Sequence, residues 1–360
     1  MSRPTTATIH LDALRHNLAR MRARAPGARV MAVVKADGYG HGLERVARAL
    51  EGADGFGVAA LADAERLRAA GLSQRIVLLS GFDEPADLPA LRRLGVETVV
   101  HHDAQLAMLE ADAAQGGAPV RCWVKVDTGM HRLGFAADRV GEVHRRLRAL
   151  PNVAGEIGLM THFSSSDEFD GPRTPAQIAA FEAAVAGLPG PRSLCNSAGV
   201  LGWPQAHGDW IRPGGALYGV SVVEGVSAPD FDLAPAMTLS TRLIAVNRVA
   251  RGERVGYAAS WTCPEDMPVG VAALGYGDGY PRQAPPGTPM LVRGVRVPLI
   301  GRVSMDLITL DLRGIPDAAV GDPVVAWGRG LPVEEVAAHA GTIGYELVCS
   351  ITRRVRFVED

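Results

Sequence analysis

Two residues of this chain stand out by scarcity. Among 37 basic residues only Lys35 and Lys125 are lysines; the other 35 are arginines. A composition bias explains why lysine is rare, but not where these two sit. Arginine replaces lysine at most solvated positions. It cannot where a deprotonated amine must act as nucleophile, base or Schiff-base partner. Lys35 ends the apolar run Ala32-Val33-Val34. A lysine desolvated at a strand end loses proton affinity and becomes a competent amine nucleophile, as a Schiff base with an aldehyde requires. The competing reading is a lysine snorkelling to solvent, a task that arginine performs elsewhere in the chain.

Other candidates follow short apolar runs. Ser197 lies in Asn196-Ser197-Ala198, and Gly214 and Gly215 follow Arg212-Pro213. A hydroxyl, unhindered glycine N–H groups and a helix start suit a phosphate dianion. Alone, the two glycines read equally well as a turn; beside a strand-end lysine the phosphate reading gains. His162 and Arg212 are polar residues at run ends, and a lone histidine there is more often a hydrogen-bonded core residue than a catalyst. Metal ligation is disfavoured: there is no H-E-x-x-H or H-x-H, and on a strand His101 and His102 would face opposite sides.

These residues must be held by a frame. The first two thirds alternate apolar β-rich runs with stretches of helical period. Eight runs (31–35, 56–60, 76–80, 98–101, 120–126, 153–161, 192–195 and 210–212) with seven connections predict a (β/α)8 barrel. Chemistry in a barrel collects at the C-terminal strand ends, where both lysines fall. An open doubly wound sheet is the alternative, but no G-x-G-x-x-G follows a first strand. The texture changes near residue 230, where prolines and glycines punctuate short alternating strands (238–249, 269–274, 289–292, 303–310 and 324–327) with one short helix over 333–340. That predicts an all-β domain over 231–360 after a barrel over 1–230. The run 7–11 belongs either to the barrel or to the β-domain.

The net charge of −2 supplies no global field for nucleic acid, and no basic cluster interleaved with aromatics occurs. No secretory signal or membrane-spanning run is present, and the four cysteines form no C-x-x-C pair. A cytoplasmic protein with reduced thiols and neither a nucleic-acid nor a membrane partner is expected.

Five ordered segments resemble the alanine racemase family of pyridoxal 5'-phosphate (PLP) enzymes: Ala32–Gly42 (AVVKADGYGHG), Lys125–Gly134 (KVDTGMHRLG), Arg212–Gly214, Gly301–Asp306 (GRVSMD) and Gly344–Glu346. The resemblance spans nearly the whole chain and implies a barrel followed by a β-domain. It implies racemisation of alanine on PLP, with Lys35 as Schiff-base lysine and one acid/base. Tyr257, from a partner subunit's β-domain, would be the other. Tyr39, Ser197, Gly214, Gly215 and Tyr345 would hold the phosphate. Arg212 would face the pyridine nitrogen, with His162 behind it. Arg132 would touch the cofactor and the substrate carboxylate region, and Met305 of the partner would contact that carboxylate by its backbone. Lys125 matches a position often carbamylated in the family. A homodimer with shared sites and a role in supplying D-alanine for peptidoglycan follow.

Departures from the family pattern are Trp261, where a tyrosine is more usual, Gly199 in place of alanine, and the C-terminal Arg353-Arg354-Val355-Arg356. None touches a proposed acid/base. The rival readings are a related PLP barrel enzyme, either a basic-amino-acid decarboxylase, to which Cys349 would be relevant, or a broader amino-acid racemase, and a single-barrel PLP carrier. The decarboxylases are longer, and the carriers lack the β-domain and Tyr257.

Overall fold

The computed structural model describes residues 3–360. The chain forms two compact units. One comprises Arg15–Leu217 with Val222–Val226; the other comprises the N-terminal residues to Leu14, Tyr218–Ser221 and Ser227–Asp360.

Strand β1 (Thr6–Ile9) belongs to the second unit. The first unit is a barrel of eight strands: β2 (Arg29–Val33), β3 (Gly55–Val58), β4 (Arg75–Leu78), β5 (Val96–Val100), β6 (Cys122–Lys125), β7 (Gly158–Met160), β8 (Arg192–Ser193) and β9 (Trp210–Ile211). Every ladder is parallel; β2 pairs with β3 and β9, and pairing then runs in chain order to β8. The remaining gap is bridged by backbone bonds: Asp209 N–H donates to Arg192 O and Arg212 N–H to Cys195 O, each at 2.9 Å. The strands are short, and the predicted runs extend beyond them, most of all 153–161. Val153 makes an isolated bridge with Val120, and regular pairing of that run begins at Gly158.

Side chains alternate across a strand, so the barrel interior is layered. Met31, Val77, Val99, Trp123, Met160 and Trp210 form one buried middle cluster. Gly158 is required there, because a Cβ would lie 2.1 Å from the Trp123 ring. Two residues earlier, the same faces carry Arg29, Arg75, Glu97 and Arg121. Two residues later they carry Val33, Leu79, His101, Lys125, His162 and Arg212.

The second unit is an antiparallel β-domain: β10 (Met237–Val249), β11 (Arg254–Val255), β12 (Trp261–Thr262), β13 (Met267–Ala272), β14 (Pro289–Val292), β15 (Val295–Ile300), β16 (Ile308–Asp311), β17 (Pro323–Trp327) and β18 (Arg356–Glu359). β1 lies between β10 (antiparallel) and β18 (parallel), which places the 7–11 run in this sheet. The run 303–310 is a strand only from Ile308. Ser304–Leu307 is a turn, closed by Ser304 N–H to Leu307 O at 3.0 Å. Val303, Met305 and Leu307 imitate strand alternation, but the turn projects Met305 outward.

Candidate active site

The C-terminal layer of the barrel is rich in cations. Lys125 is 8% exposed, and its ammonium is pushed down to about 8, chiefly by burial and then by Arg212, Arg132 and Lys35. Asp127 pulls the other way most weakly. Its carboxylate accepts from the Gly129 and His131 N–H groups, both at 3.0 Å, and pairs with the His131 ring at 2.9 Å. These bonds shape the loop that carries Arg132. His162 is held well below its ordinary value by burial, reinforced by Arg212, Lys125, Arg132 and Lys35. It is therefore neutral near pH 7. These shifts put Lys35, Lys125, Arg132, His162 and Arg212 within electrostatic reach of one another.

Arg212 is 5% exposed. Its guanidinium donates to Ser193 Oγ at 2.6 Å, Thr161 O at 2.5 Å and Leu194 O at 3.2 Å, all neutral acceptors. Burial lowers its pKa to about 10, so it remains a cation at neutral pH. Thr161 in turn bonds Val126 O at 2.9 Å and Thr128 Oγ1 at 2.8 Å, tying Arg212 to the loop after β6.

Beside these cations is a cradle. Gly214 N–H donates to Ser197 Oγ at 2.8 Å and Ala216 N–H at 3.3 Å. Gly215 opens the tight turn Gly215–Tyr218. A Cβ on Gly214 would lie 2.5 Å from the Tyr39 hydroxyl, so only glycine lets that phenol approach. Hydroxyls and backbone N–H groups thus converge where a phosphate would fit, next to cations that outnumber the one nearby carboxylate, Asp127.

Lys35 opens a turn of unusual hand. Ala36, Asp37, Gly38 and Tyr39 have φ of 53°, 54°, 62° and 50°. Gly38 N–H donates to Val34 O and Gly40 N–H to Ala36 O, both at 2.9 Å, so this is one left-handed helical turn. Three of the four residues carry a Cβ, and each costs roughly 1–2 kcal/mol in this conformation. Such strain persists only where the surroundings over-determine it, and it concentrates at functional sites.

The other predicted site residues belong to the β-domain. Tyr257, 72% exposed, starts the turn joining β11 to β12. Its neighbours Gly256, Ala258 and Ala259 all have positive φ, so the ring is presented by a strained tip. A Cβ on Gly256 would lie 3.4 Å from Arg302 N, so this tip rests on the loop leading to Met305. Met305 is 52% exposed; its carbonyl accepts from Gly277 N–H at 2.9 Å. A backbone contact would therefore use its N–H. Tyr345 is half-buried on the short helix Gly344–Cys349.

Both halves of the chain match models of a single family: residues 9–222 the alanine racemase N-terminal domain and 236–359 the C-terminal domain. The chain belongs to the alanine racemase family. Membership makes it a racemase, an isomerase. An alanine racemase of Shewanella baltica (strain OS185) is 55% identical over 97% of each chain, and one of Shewanella amazonensis is 55% identical over 98% of each. The biosynthetic alanine racemase of Pseudomonas aeruginosa superposes with a TM-score of 0.96 at 44% identity, covering 99% of each chain. The alanine racemase of Acinetobacter baumannii superposes with a TM-score of 0.93 at 34% identity over 99% of this chain and 100% of its own. The barrel with an appended β-domain is the fold of this family.

Sequence reading did not single out His101 as part of the site. It faces inward beside Lys125, with its ring Nε2 bonded to Ser80 O at 2.9 Å. Inward parity was the available signal, once β5 and β6 were set in register through Val100 and Val124. Among the described residues no group of three or more His, Cys, Asp or Glu could hold a metal, and no helix is long and apolar enough to cross a membrane.

Proposed function

We propose that this racemase interconverts L-alanine and D-alanine with PLP covalently held by Lys35. The supporting observation is the C-terminal barrel layer, whose cations face a hydroxyl and N–H cradle and no inward carboxylate. When bound, PLP withdraws electrons from the substrate Cα–H bond and so acidifies it.

The residues then have distinct tasks. Ser197, Gly214, Gly215, Tyr39 and Tyr345 bind the phosphate. Arg212 would face the pyridine nitrogen as a donor and, remaining charged, would give up no proton. It would thereby limit electron withdrawal and suppress transamination. His162, neutral behind it, adds no opposing charge. Arg132 and the Met305 backbone hold the substrate carboxylate. Lys35, freed as an amine once the substrate's amino group takes its place, would exchange protons with one face of Cα and Tyr257 with the other, so each enantiomer would be deprotonated by one base and reprotonated by the second. Lys125, held near pH 8 as a partly neutral amine, has the form that reacts with CO2. Its carbamate would be an anion among the cations and would orient Arg132.

Tyr257, Tyr276, Met305 and Leu307 present exposed apolar surface on adjoining loops of the β-domain. This supports a homodimer in which Tyr257 and Met305 of one copy complete the site of the other. The enzyme would act in the cytoplasm and supply D-alanine for peptidoglycan. The test is Tyr257→Phe, assayed from both enantiomers with cofactor content measured. Proton transfer by a positioned side chain contributes about 10²–10⁴-fold, and a loss of that size in both directions with PLP retained is expected. Undiminished racemisation by the variant would remove the two-base assignment.

A further inference from the structure

The left-handed turn after Lys35 must be held by more than its own backbone bonds, because right-handed geometry costs these residues less. One face of the turn is set against the helix Leu43–Ala49: a Cβ on Gly38 would lie 3.0 Å from Val46 Cγ2. Leu43 N–H donates to Asp37 Oδ1 at 3.1 Å, and the buried His41 ring bonds Tyr39 O at 2.8 Å. A second helix, Leu61–Ala69, reaches both partners through one side chain. Arg66 grips Glu44 with two bonds, at 2.8 and 2.9 Å, and donates to Asp37 Oδ1 at 2.8 Å.

We propose that Arg66 is a positioning residue for Lys35 and Tyr39, acting through its bridge to Asp37 and Glu44. The guanidinium is a rigid fork, so it fixes the separation and orientation of the two carboxylates together. Asp37 lies inside the strained turn and Glu44 on the helix that backs it. The bridge therefore links the turn to two helices of the barrel wall at a point where the backbone, left alone, would relax to right-handed geometry. Lys35 opens that turn and Tyr39 closes it, so both side chains inherit its conformation. An isolated exposed ion pair would contribute little. This one differs in being a network, with Asp63 also 4.0 Å from the guanidinium, attached to a strained segment.

The inference rests on the cofactor reading for one of its two readouts, and the other is independent of it. Hydrogen exchange at the Gly38, Gly40 and Gly42 amides reports the turn directly, since these donate to Val34 O, Ala36 O and Asp37 O. PLP affinity, titrated by the absorbance of the bound cofactor, reports Lys35 and Tyr39. Arg66→Ala is compared with Arg93→Ala, which breaks another exposed inter-helix pair, Arg93 to Glu65 at 3.3 Å, away from the turn. Arg66→Ala is expected to speed exchange at these glycines and to weaken PLP binding, each by about tenfold, the equivalent of about 1.4 kcal/mol. Arg66→Lys, which keeps the charge but not the fork, should restore only part of both, and Arg93→Ala should change neither. Glu44→Gln, which weakens the grip while leaving the arginine in place, is the second variant if Arg66→Ala folds poorly. Exchange and affinity within twofold of the wild type would overturn the proposal, as would faster exchange with unaltered PLP affinity, or equal effects of Arg66→Ala and Arg93→Ala. A wild type that takes up no PLP on Lys35 would instead sink the function proposed above. The exchange contrast would still decide whether Arg66 holds the turn.

Discussion

The two mouths of the barrel both carry buried or half-buried charged side chains and are used in opposite ways. At the N-terminal mouth Arg75 meets Glu97 in a two-pronged pair at 2.5 and 3.0 Å, and Glu97 also accepts from the Trp123 indole at 2.8 Å. Arg29 and Arg75 both lie over the Trp210 ring, at 4.4 and 4.9 Å from its centroid. Charge there is answered by a buried carboxylate and by aromatic faces. At the C-terminal mouth Lys125 and Arg212 point inward in a layer that has no Asp or Glu. Their proton affinities are depressed, and Arg212 is satisfied by neutral oxygens alone. A balanced end closes the barrel; an unbalanced end waits for an anion.

The comparison can be broken from either end. The largest effect is expected from Lys35→Ala, which removes the only nucleophilic amine assigned to the cofactor. Racemisation should fall by at least about 10⁴-fold, while the unfolding midpoint of the cofactor-free protein stays near that of the wild type. A comparable loss of stability would mean that Lys35 is structural. Glu97→Gln should do the reverse. It leaves Arg75 without its counter-charge in a mostly buried setting, with an expected loss of about 3 kcal/mol in denaturant titration and activity within about twofold below the transition. Lost activity without lost stability would contradict the division between the two ends.

Gly214→Ala sharpens the functional side. The added Cβ meets the tip of Tyr39, a movable phenol, so stability should change little. The displaced hydroxyl should weaken PLP affinity by about tenfold, read by titrating the cofactor-free enzyme. The smallest effect concerns Lys125. Its folded value near 8 lies below the ordinary lysine value, so the neutral amine grows as pH rises through about 8. The same shift makes the folded state bind fewer protons than the unfolded chain above that pH. Burial of the charged amine therefore costs most below pH 8 and is relieved as pH climbs from there toward the unfolded value. Labelled CO2 trapped on Lys125 should accordingly be scarce at pH 6 and increase through pH 8. Uptake independent of pH would remove the free-amine account.

The barrel was legible because alternating runs and helical stretches leave a strong periodic signal, and the lysines because an arginine-rich chain retained two. Three features were hidden. Parallel strands buried on both faces show no polar alternation, so the inward parity of Glu97 and His101 emerges only with the ladder register. The left-handed turn has no signature of its own, since Ala36, Asp37 and Tyr39 are ordinary residues held there by tertiary contacts. In the β-domain, β15 and the β11–β12 hairpin went unpredicted, and the turn bearing Met305 read as strand because its apolar residues fall at alternate positions. The pairing of β18 with β1 joins segments about 350 residues apart, beyond the reach of any local pattern.

The most direct test of the division between the two mouths is to load the enzyme with PLP, reduce it with borohydride, and map the adduct by peptide mass. The account predicts one adduct per chain, on Lys35, with Lys125 unmodified by PLP. An adduct on Lys125, or none on either lysine in protein supplied with excess PLP, would contradict it.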